Sequence, residues 1–233
     1  MKKYLFSLTI LLTSLNLLAQ SDPLGDFNRH VLANWNGNYH RISQYRVKGS
    51  PFLYGESFPG TIDYKGGKTV KGINILYDLY TQASGIDLKK NQEIFEAEQG
   101  VERFTVTLPE KYKNKTLVFV NADQYTNDYK GYFNLLADGE KVALLKAFKL
   151  KLLPDQTNQM AKDVRVAEQF FEYYIYNKST KQLHKVKLKE KELLKELNAT
   201  DLAKGYIRAN DLDISEEDDS VIFITGFNKN FQK

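Results

Sequence analysis

Short segments in which apolar and polar residues alternate recur along this chain, and this period of two constrains the fold more than any other feature. In residues 70–80, Ile73, Ile75, Tyr77 and Leu79 fall on one face of an extended chain. Successive side chains of a β-strand point to opposite faces, whereas those of a helix repeat every ~3.6 residues. The segment is therefore predicted to be a strand with one apolar face.

Similar segments follow one another along the chain, separated by turn residues. We predict strands over residues 39–47, 61–64, 70–80, 93–97, 103–108, 116–120, 169–176 and 183–188, and a hairpin over residues 131–149. Gly66-Gly67 and Asp138-Gly139 are turn signals, because glycine accepts the positive φ of a tight hairpin. Since no crossover helix is visible before Lys189, we expect these strands to pair antiparallel.

The pattern changes to helical spacing near the end of the chain. Leu193, Leu194 and Leu197 recur among Lys and Glu, which predicts a helix, and a second helix is expected over residues 201–208. A short helix is also expected near residues 27–32.

The last element is ambiguous. Ser215 precedes three acidic residues as in a helix capping box, whereas the β-branched residues within 221–225 favour a strand. The sequence leaves both possibilities open for residues 216–228, and we expect a helix.

Together these patterns predict an α+β fold. It is a mostly antiparallel β meander of about eight to ten strands, a sandwich or a partly open barrel, with short C-terminal helices. We expect one β-rich domain over residues 20–233, with strands over about 39–188 and a helical tail over about 189–233.

The amino terminus has the pattern of an export signal. Lys2 and Lys3 precede an apolar run, and Ala19 offers a small residue at the cleavage point. The run of about fifteen residues is shorter than the ~20 that a membrane helix needs. We expect residues 1–19 to be removed, leaving a periplasmic or secreted protein without an integral membrane span.

The charge balance indicates which classes of partner the protein is expected to bind. After loss of Lys2 and Lys3, 31 basic residues face 29 acidic ones, which argues against a nucleic-acid-binding protein. Residues 141–195, however, carry thirteen Lys or Arg against six Asp or Glu. This excess suits a basic patch for an anionic envelope polymer, or lysines on exposed strands, where they prevent edge pairing. The second interpretation is favoured.

Motifs for catalysis or metal binding are missing. His30, His40 and His184 lack the spacing of a metal site, the chain has no Cys, and no nucleophile elbow is present. We therefore predict no cofactor, no metal and no catalytic residue.

Four acidic residues remain as candidates for glycoside hydrolysis, because the separation of a carboxylate pair depends on the fold. They lie among aromatic residues and are Glu56, Asp63, Asp78 and Asp123. Solvated strand residues are the favoured interpretation of all four.

Aromatic residues are abundant: 15 Tyr, 14 Phe and one Trp make up 13% of the chain. Flat rings on a sheet can stack on sugars or shelter apolar ligands. The densest cluster, over residues 170–176, places rings on both faces of a strand, and one face must fill the core. The candidate ligand-binding residues are Phe170, Tyr173, Tyr174 and Tyr176.

Several blocks resemble a family of uncharacterised exported proteins of Bacteroidetes. They are residues 49–53, 60–64, 77–80, 131–136 and 191–197. The resemblance covers most of the chain after residue 19 and implies an envelope location and a β-rich fold with a helical tail. It supplies no activity and no site residues. Residues 221–225 depart from the Leu-rich helical stretch that it leads us to expect.

The sequence therefore favours an exported, non-catalytic protein that binds an envelope component or a partner protein. A glycan or lipid hydrolase is the first alternative and requires acidic residues or a His to converge in a pocket. A periplasmic carrier of apolar ligands is the second and requires an unfilled, apolar interior.

Overall fold

A computed structural model describes residues 40–42, 45–88, 93–96, 100–157, 162–199 and 201–230. The expected export signal, the expected helix near residues 27–32 and His30 lie outside these residues. Among the described helices, none is long and apolar enough to cross a membrane.

The described residues form twelve strands and three helices. The strands are β1 (His40–Ile42), β2 (Tyr45–Lys48), β3 (Phe58–Tyr64), β4 (Thr69–Asp78), β5 (Ala83–Leu88), β6 (Glu93–Glu96), β7 (Val101–Thr107), β8 (Thr116–Asn121), β9 (Tyr132–Ala137), β10 (Val142–Pro154), β11 (Val164–Asn177) and β12 (Gln182–Val186). The helices are α1 (Glu190–Glu196), α2 (Asp201–Ala209) and α3 (Glu217–Asn230). The predicted α+β class, mostly antiparallel with short C-terminal helices, is confirmed.

All twelve strands belong to one sheet that does not close on itself. Its order is β1-β2-β11-β10-β9-β8-β7-β3-β4-β5-β6, and β12 also pairs with β11. The predicted hairpin over residues 131–149 is present as β9 and β10, but β10 continues to Pro154 and pairs with β11 along its whole length. This long ladder is the middle of the molecule.

Three expectations need correction. The pairing is not purely antiparallel, because β2 runs parallel to β11, with Arg46 opposite Val164; the whole meander connects these two strands, so no crossover helix is needed. Residues 39–47 are not one strand, since β1 and β2 form an antiparallel pair. Strand β5 was not predicted, because its Ala, Ser, Gly and Asp residues have low strand propensity; pairing with β4 and β6 supports it instead.

The first half of strand β10, residues 142–148, is buried on both faces. One face, here called the helix face, carries Val142, Leu144 and Phe148, and the other, the loop face, carries Ala143, Leu145 and Ala147. The helices pack on the helix face, whereas Tyr125 and Tyr129 from the connection between β8 and β9 pack on the loop face. Burial on both faces explains why residues 142–148 form an almost continuous apolar run rather than an alternating one.

The helix face supports two separate cores. In the first core, rings from β4, β7 and β8 fill the space inside the curved sheet: Phe104 stacks on Phe119 at 4.6 Å, and Tyr77 lies 5.4 Å from Phe104. In the second core, the helices cover Val142 and Leu144.

Helix α3 resolves the ambiguity in the tail. The stretch with strand-like residues is helical, because Phe223 and Ile224 are both buried in the second core. Gly226 permits a close approach, since a Cβ there would lie 2.5 Å from the Tyr206 ring. Tertiary burial therefore outweighs the strand propensity of the segment.

We expect Phe223→Ala to lower the free energy of unfolding by about 3–5 kcal/mol, because it leaves a cavity in the second core. The matched control is Ile222→Ala on the same helix, where 47% of the residue is exposed and the loss should be within about 0.5 kcal/mol. Urea unfolding followed by far-UV circular dichroism measures both. Equal small losses would show that the helices do not pack on the sheet.

Candidate functional site

The apolar row on the helix face of β10 is interrupted by one charge. Lys146 lies between Leu144, which belongs to the second core, and Phe148, which belongs to the first. Only 8% of Lys146 is exposed. We call this boundary between the two cores the seam. A buried ammonium group is costly unless it is paired, so the stability of the seam depends on the groups that surround Lys146.

The Lys146 ammonium group has a carboxylate and three aromatic rings around it. Its Nζ donates to Glu217 Oε2 at 2.6 Å, and the Tyr173 hydroxyl donates to the same oxygen at 2.8 Å. The ring centroids of Phe171, Phe148 and Tyr173 lie 4.2, 5.0 and 5.6 Å from Nζ, within cation–π range.

Helix α3 supplies the carboxylate from its first turn. Glu217, Asp218 and Asp219 are all acidic there, where the positive end of the helix dipole favours negative charge. The ion pair between Lys146 and Glu217 therefore links the middle of the sheet to the start of α3.

The tyrosines at the seam are poor acids. Burial, followed by the hydrogen bond to Glu217, raises the pKa of Tyr173 far above its usual range. Burial also raises the pKa of Tyr54, with a further contribution from Glu217. Both hydroxyls therefore stay protonated at neutral pH, and the Lys146 ammonium is held in its ion pair. This arrangement fixes the positions of the groups around Lys146.

Aromatic rings surround the seam where it reaches the surface. Phe171 is 52% exposed and Tyr54 is 37% exposed, and Tyr54 stacks on Tyr112 at 4.6 Å. Tyr54 also contacts Phe148, 6.0 Å between ring centroids. We call Tyr54, Tyr112 and Phe171 the seam surface.

The four predicted ligand-binding residues do not form one site. Tyr173 lies on the helix face at the seam, whereas Phe170, Tyr174 and Tyr176 lie on the loop face. All four are half-buried. Phe171, which was not among the four, is the exposed ring of this strand. It follows Phe170 in the strand and therefore lies on the other face of the sheet, the helix face.

On the loop face the predicted residues pack against the sheet and its neighbours. Tyr174 lies 5.4 Å from Phe133, and Tyr176 lies 5.0 Å from Tyr125, measured between ring centroids. Lys151 Nζ lies 4.3 Å from the Phe170 ring. Packing is therefore the observed role of Tyr174 and Tyr176.

A second charged cluster lies on the loop face around Glu172. Its carboxylate accepts hydrogen bonds from Lys149 (2.6 Å), Lys185 (2.5 Å) and the Tyr174 hydroxyl (2.7 Å). Burial alone would raise the pKa of Glu172, but these three donors outweigh burial and lower the pKa to about 2. Glu172 therefore stays ionised and ties β10, β11 and β12 together.

The acidic candidates for hydrolysis are dispersed. Asp63 accepts a hydrogen bond from the Thr69 hydroxyl, Asp78 accepts from the backbone of Tyr80, and Asp123 is exposed. Glu56 pairs with Lys111, beside Tyr112 of the seam surface. Each carboxylate has a local partner, and the described contacts bring no two of the four together.

The histidines do not converge either. His184 Nδ1 lies 2.5 Å from Glu196 Oε1 and joins β12 to α1, and the His40 side chain lies outside the described residues. In the part of the chain that the structure covers, no three His, Asp or Glu side chains could together hold a metal ion.

Comparison with known proteins adds no assignment. No protein-family model, no curated protein and no solved structure matches the chain.

We expect Glu217→Ala to lower the free energy of unfolding by about 2–3 kcal/mol, because it leaves the buried Lys146 ammonium unpaired. The double variant Lys146→Met/Glu217→Leu should lie within about 1 kcal/mol of the wild type, since apolar residues can replace a buried ion pair. Denaturant unfolding measures these values.

The control for Glu217→Ala is Asp218→Ala, which removes the next carboxylate of the same helical turn. Asp218 pairs with Lys115 at the surface, so its loss should cost less than about 1 kcal/mol. Equal effects of the two substitutions would contradict a special role for Glu217.

The Glu172 cluster predicts a dependence of stability on pH. Because the pKa of Glu172 is lowered from its ordinary value of 4.5 to about 2, the folded protein favours the ionised form. The stability advantage of the wild type over Glu172→Gln should be complete above about pH 4.5, shrink as the pH falls, and vanish below about pH 2.

Urea unfolding of both proteins at several pH values measures this advantage. The control is Glu168→Gln, an exposed residue of the same strand and face, which should change stability by less than about 0.5 kcal/mol. An advantage that did not change between pH 2 and 5 would contradict the assignment.

Proposed function

We propose that the protein is exported and acts, without catalysis, by binding a partner protein or another envelope component through the seam surface. Export is supported by Lys2, Lys3 and the apolar run that ends before Ala19, and by the resemblance to exported proteins of Bacteroidetes. On this proposal the chain after residue 19 works in the periplasm or outside the cell.

The observation that carries the binding proposal is the exposure of the Phe171 ring above a fixed charge. Lys146 holds the ring at 4.2 Å, and Glu217 and Tyr173 hold Lys146. A large apolar ring fixed at the surface costs little conformational entropy when it is buried by a partner, which is the property of residues that dominate binding interfaces.

The two alternatives have less support. A hydrolase requires convergent carboxylates, and the contacts of Asp63, Asp78 and Asp123 are local and separate. A carrier of apolar ligands requires space inside the curved sheet, where Phe104, Phe119 and other rings pack against one another. A binding surface requires an exposed ring that is held in place, and Phe171 is such a ring.

Site-specific photo-crosslinking tests the proposal. Phe171 is replaced by p-benzoyl-L-phenylalanine in the exported full-length protein, and the bacterial envelope is irradiated. We expect a discrete crosslinked product at this position. The matched control carries the same residue in place of Leu202, which is 72% exposed on α2 and is not a residue of the seam surface.

A product at both positions, or at neither, would contradict the proposal. Mass spectrometry of the product identifies the partner. The same material gives the amino-terminal residue of the mature chain, which should follow Ala19; a chain that keeps residues 1–19 would contradict the proposed export.

A further inference from the structure

Two polar groups at the seam are left without a hydrogen bond. Glu217 uses Oε2 for both Lys146 and Tyr173, and its Oε1 accepts no hydrogen bond from any residue that the structure describes. The Tyr54 hydroxyl makes none with those residues either. The Glu217 side chain is 25% exposed and Tyr54 is 37% exposed, so a ligand in solvent can reach both groups.

These two groups lie close to each other. Burial, followed by the charge of Glu217, raises the pKa of Tyr54. Burial and Glu217 also raise the pKa of Tyr173, and Tyr54 contributes further. The two hydroxyls and the carboxylate are therefore within electrostatic range of one another. A carboxylate oxygen that can accept, beside a phenol that can donate or accept, matches a ligand that carries hydroxyl groups.

A flat apolar surface lies beside these polar groups. Lys146 Nζ lies 4.2 Å from the centroid of the Phe171 ring, and 52% of Phe171 is exposed. The electron-rich face of an aromatic ring attracts polarised C–H groups. A sugar ring offers such C–H groups on its face and hydroxyls along its edge, which is the combination that Phe171, Glu217 and Tyr54 can contact together.

The loop that carries Tyr54 is held in place before any ligand arrives. Tyr54 has φ 52° and ψ 12°, a left-handed conformation that is uncommon outside glycine. The Gln169 side chain fixes this loop: its Oε1 accepts from the Tyr54 N–H at 3.2 Å, and its Nε2 donates to the carbonyls of Ser50 and Phe52. A fixed ring loses little conformational entropy on binding.

The charges around the seam surface balance. Three ion pairs surround it: Glu217 with Lys146, Glu56 with Lys111, and Asp218 with Lys115. Glu216 and Lys113 add one charge of each sign. A cation on the outer face of Phe171 would be repelled by Lys146, and an anion beside the ring would be repelled by Glu217. The ligand that fits is therefore uncharged.

A partner protein fits this surface less well. A stable protein interface covers roughly 800 Å² on each partner and has an apolar, aromatic centre. Only two of the large apolar residues that are exposed in the described part of the chain, Tyr54 and Phe171, belong to the seam surface, and ion pairs surround them. Two rings and two free polar groups match the size of a few sugar units.

We propose that the seam surface binds an uncharged glycan, with one sugar ring stacked on Phe171 and its hydroxyls bonded to Glu217 Oε1 and to the Tyr54 hydroxyl. This inference rests on the proposed binding function and names the class of its ligand.

The test uses protein purified after export of the full-length chain and three neutral trisaccharides: cellotriose, maltotriose and tri-N-acetylchitotriose. Titration followed by saturation-transfer-difference NMR measures binding. We expect at least one of them to bind saturably, with an affinity that changes little with salt because the ligand is uncharged. No binding of any of the three would overturn the proposal.

Charged trisaccharides are the matched ligand controls. Trigalacturonate is an anion, and chitotriose in slightly acidic buffer has the chain of tri-N-acetylchitotriose with ammonium groups in place of the amides. Both should bind at least about tenfold more weakly than the best neutral trisaccharide, because the seam repels either charge. A charged trisaccharide that bound as well as the best neutral one would overturn the proposal.

Two substitutions at one position test the stacked ring. Phe171→Leu keeps an apolar side chain without a flat face and should weaken binding about tenfold, whereas Phe171→Tyr keeps the face and should stay within about twofold of the wild type. Circular dichroism shows whether both variants fold. Equal affinities of the two folded variants would place the glycan elsewhere and overturn the proposal.

Tyr54→Phe tests the free hydroxyl, since it leaves the ring in place. We expect binding to weaken about threefold to fivefold, as for one lost hydrogen bond. The matched control is Tyr80→Phe, a tyrosine that is 49% exposed and is not a residue of the seam surface, which should leave the affinity unchanged. Equal effects of the two substitutions would contradict the assignment of the hydroxyl.

The outcomes separate this inference from the proposed function. If crosslinking at Phe171 captures a protein and none of the three trisaccharides binds, the proposed function stands and the glycan inference fails. If a trisaccharide binds in a manner that depends on Phe171 and crosslinking captures nothing, the surface binds glycans and the proposed function in the envelope fails.

Discussion

The pairing of β10 with β11 is the interaction on which the rest of the structure depends. It runs without interruption from Val142 opposite Asn177 to Pro154 opposite Arg165. Because β10 buries side chains on both faces over residues 142–148, this one ladder anchors the first and second cores on the helix face and the tyrosine-rich packing on the loop face. Strands β2 and β12 then attach to the far side of β11.

The ladder supports two cores on the same face, and these two cores meet at a boundary on β10. Lys146 forms that boundary, and its burial is tolerated because α3 brings Glu217 to it and three rings surround it. The cost of the buried charge is offset locally, while the ring of Phe171 is left at the surface. The ion pair between Lys146 and Glu217, which joins the sheet to α3, therefore also fixes the exposed aromatic group of the proposed binding surface.

Much of the sheet could be predicted from the sequence, because a period of two and glycine turns are local signals: β3, β4 and the β9–β10 hairpin follow from them. The first two helices follow from the helical spacing of their apolar residues. The parallel pair of β2 and β11 could not be predicted, since no local pattern relates residues so far apart. The seam at Lys146 could not be predicted for the same reason. Aromatic density located β11, but the partner of Lys146 lies on α3, and only the fold brings Glu217 there.

Residue-specific hydrogen exchange along β11 tests the central claim most directly. If the ladder with β10 is the central interaction, the amides of Phe170 and Glu172, which face β10, should be protected. Those of Gln169 and Phe171, which face away from β10 and have no backbone acceptor among the described residues, should exchange faster by orders of magnitude. Equal protection of all four amides would contradict the account, because it would mean that a strand already covers this edge.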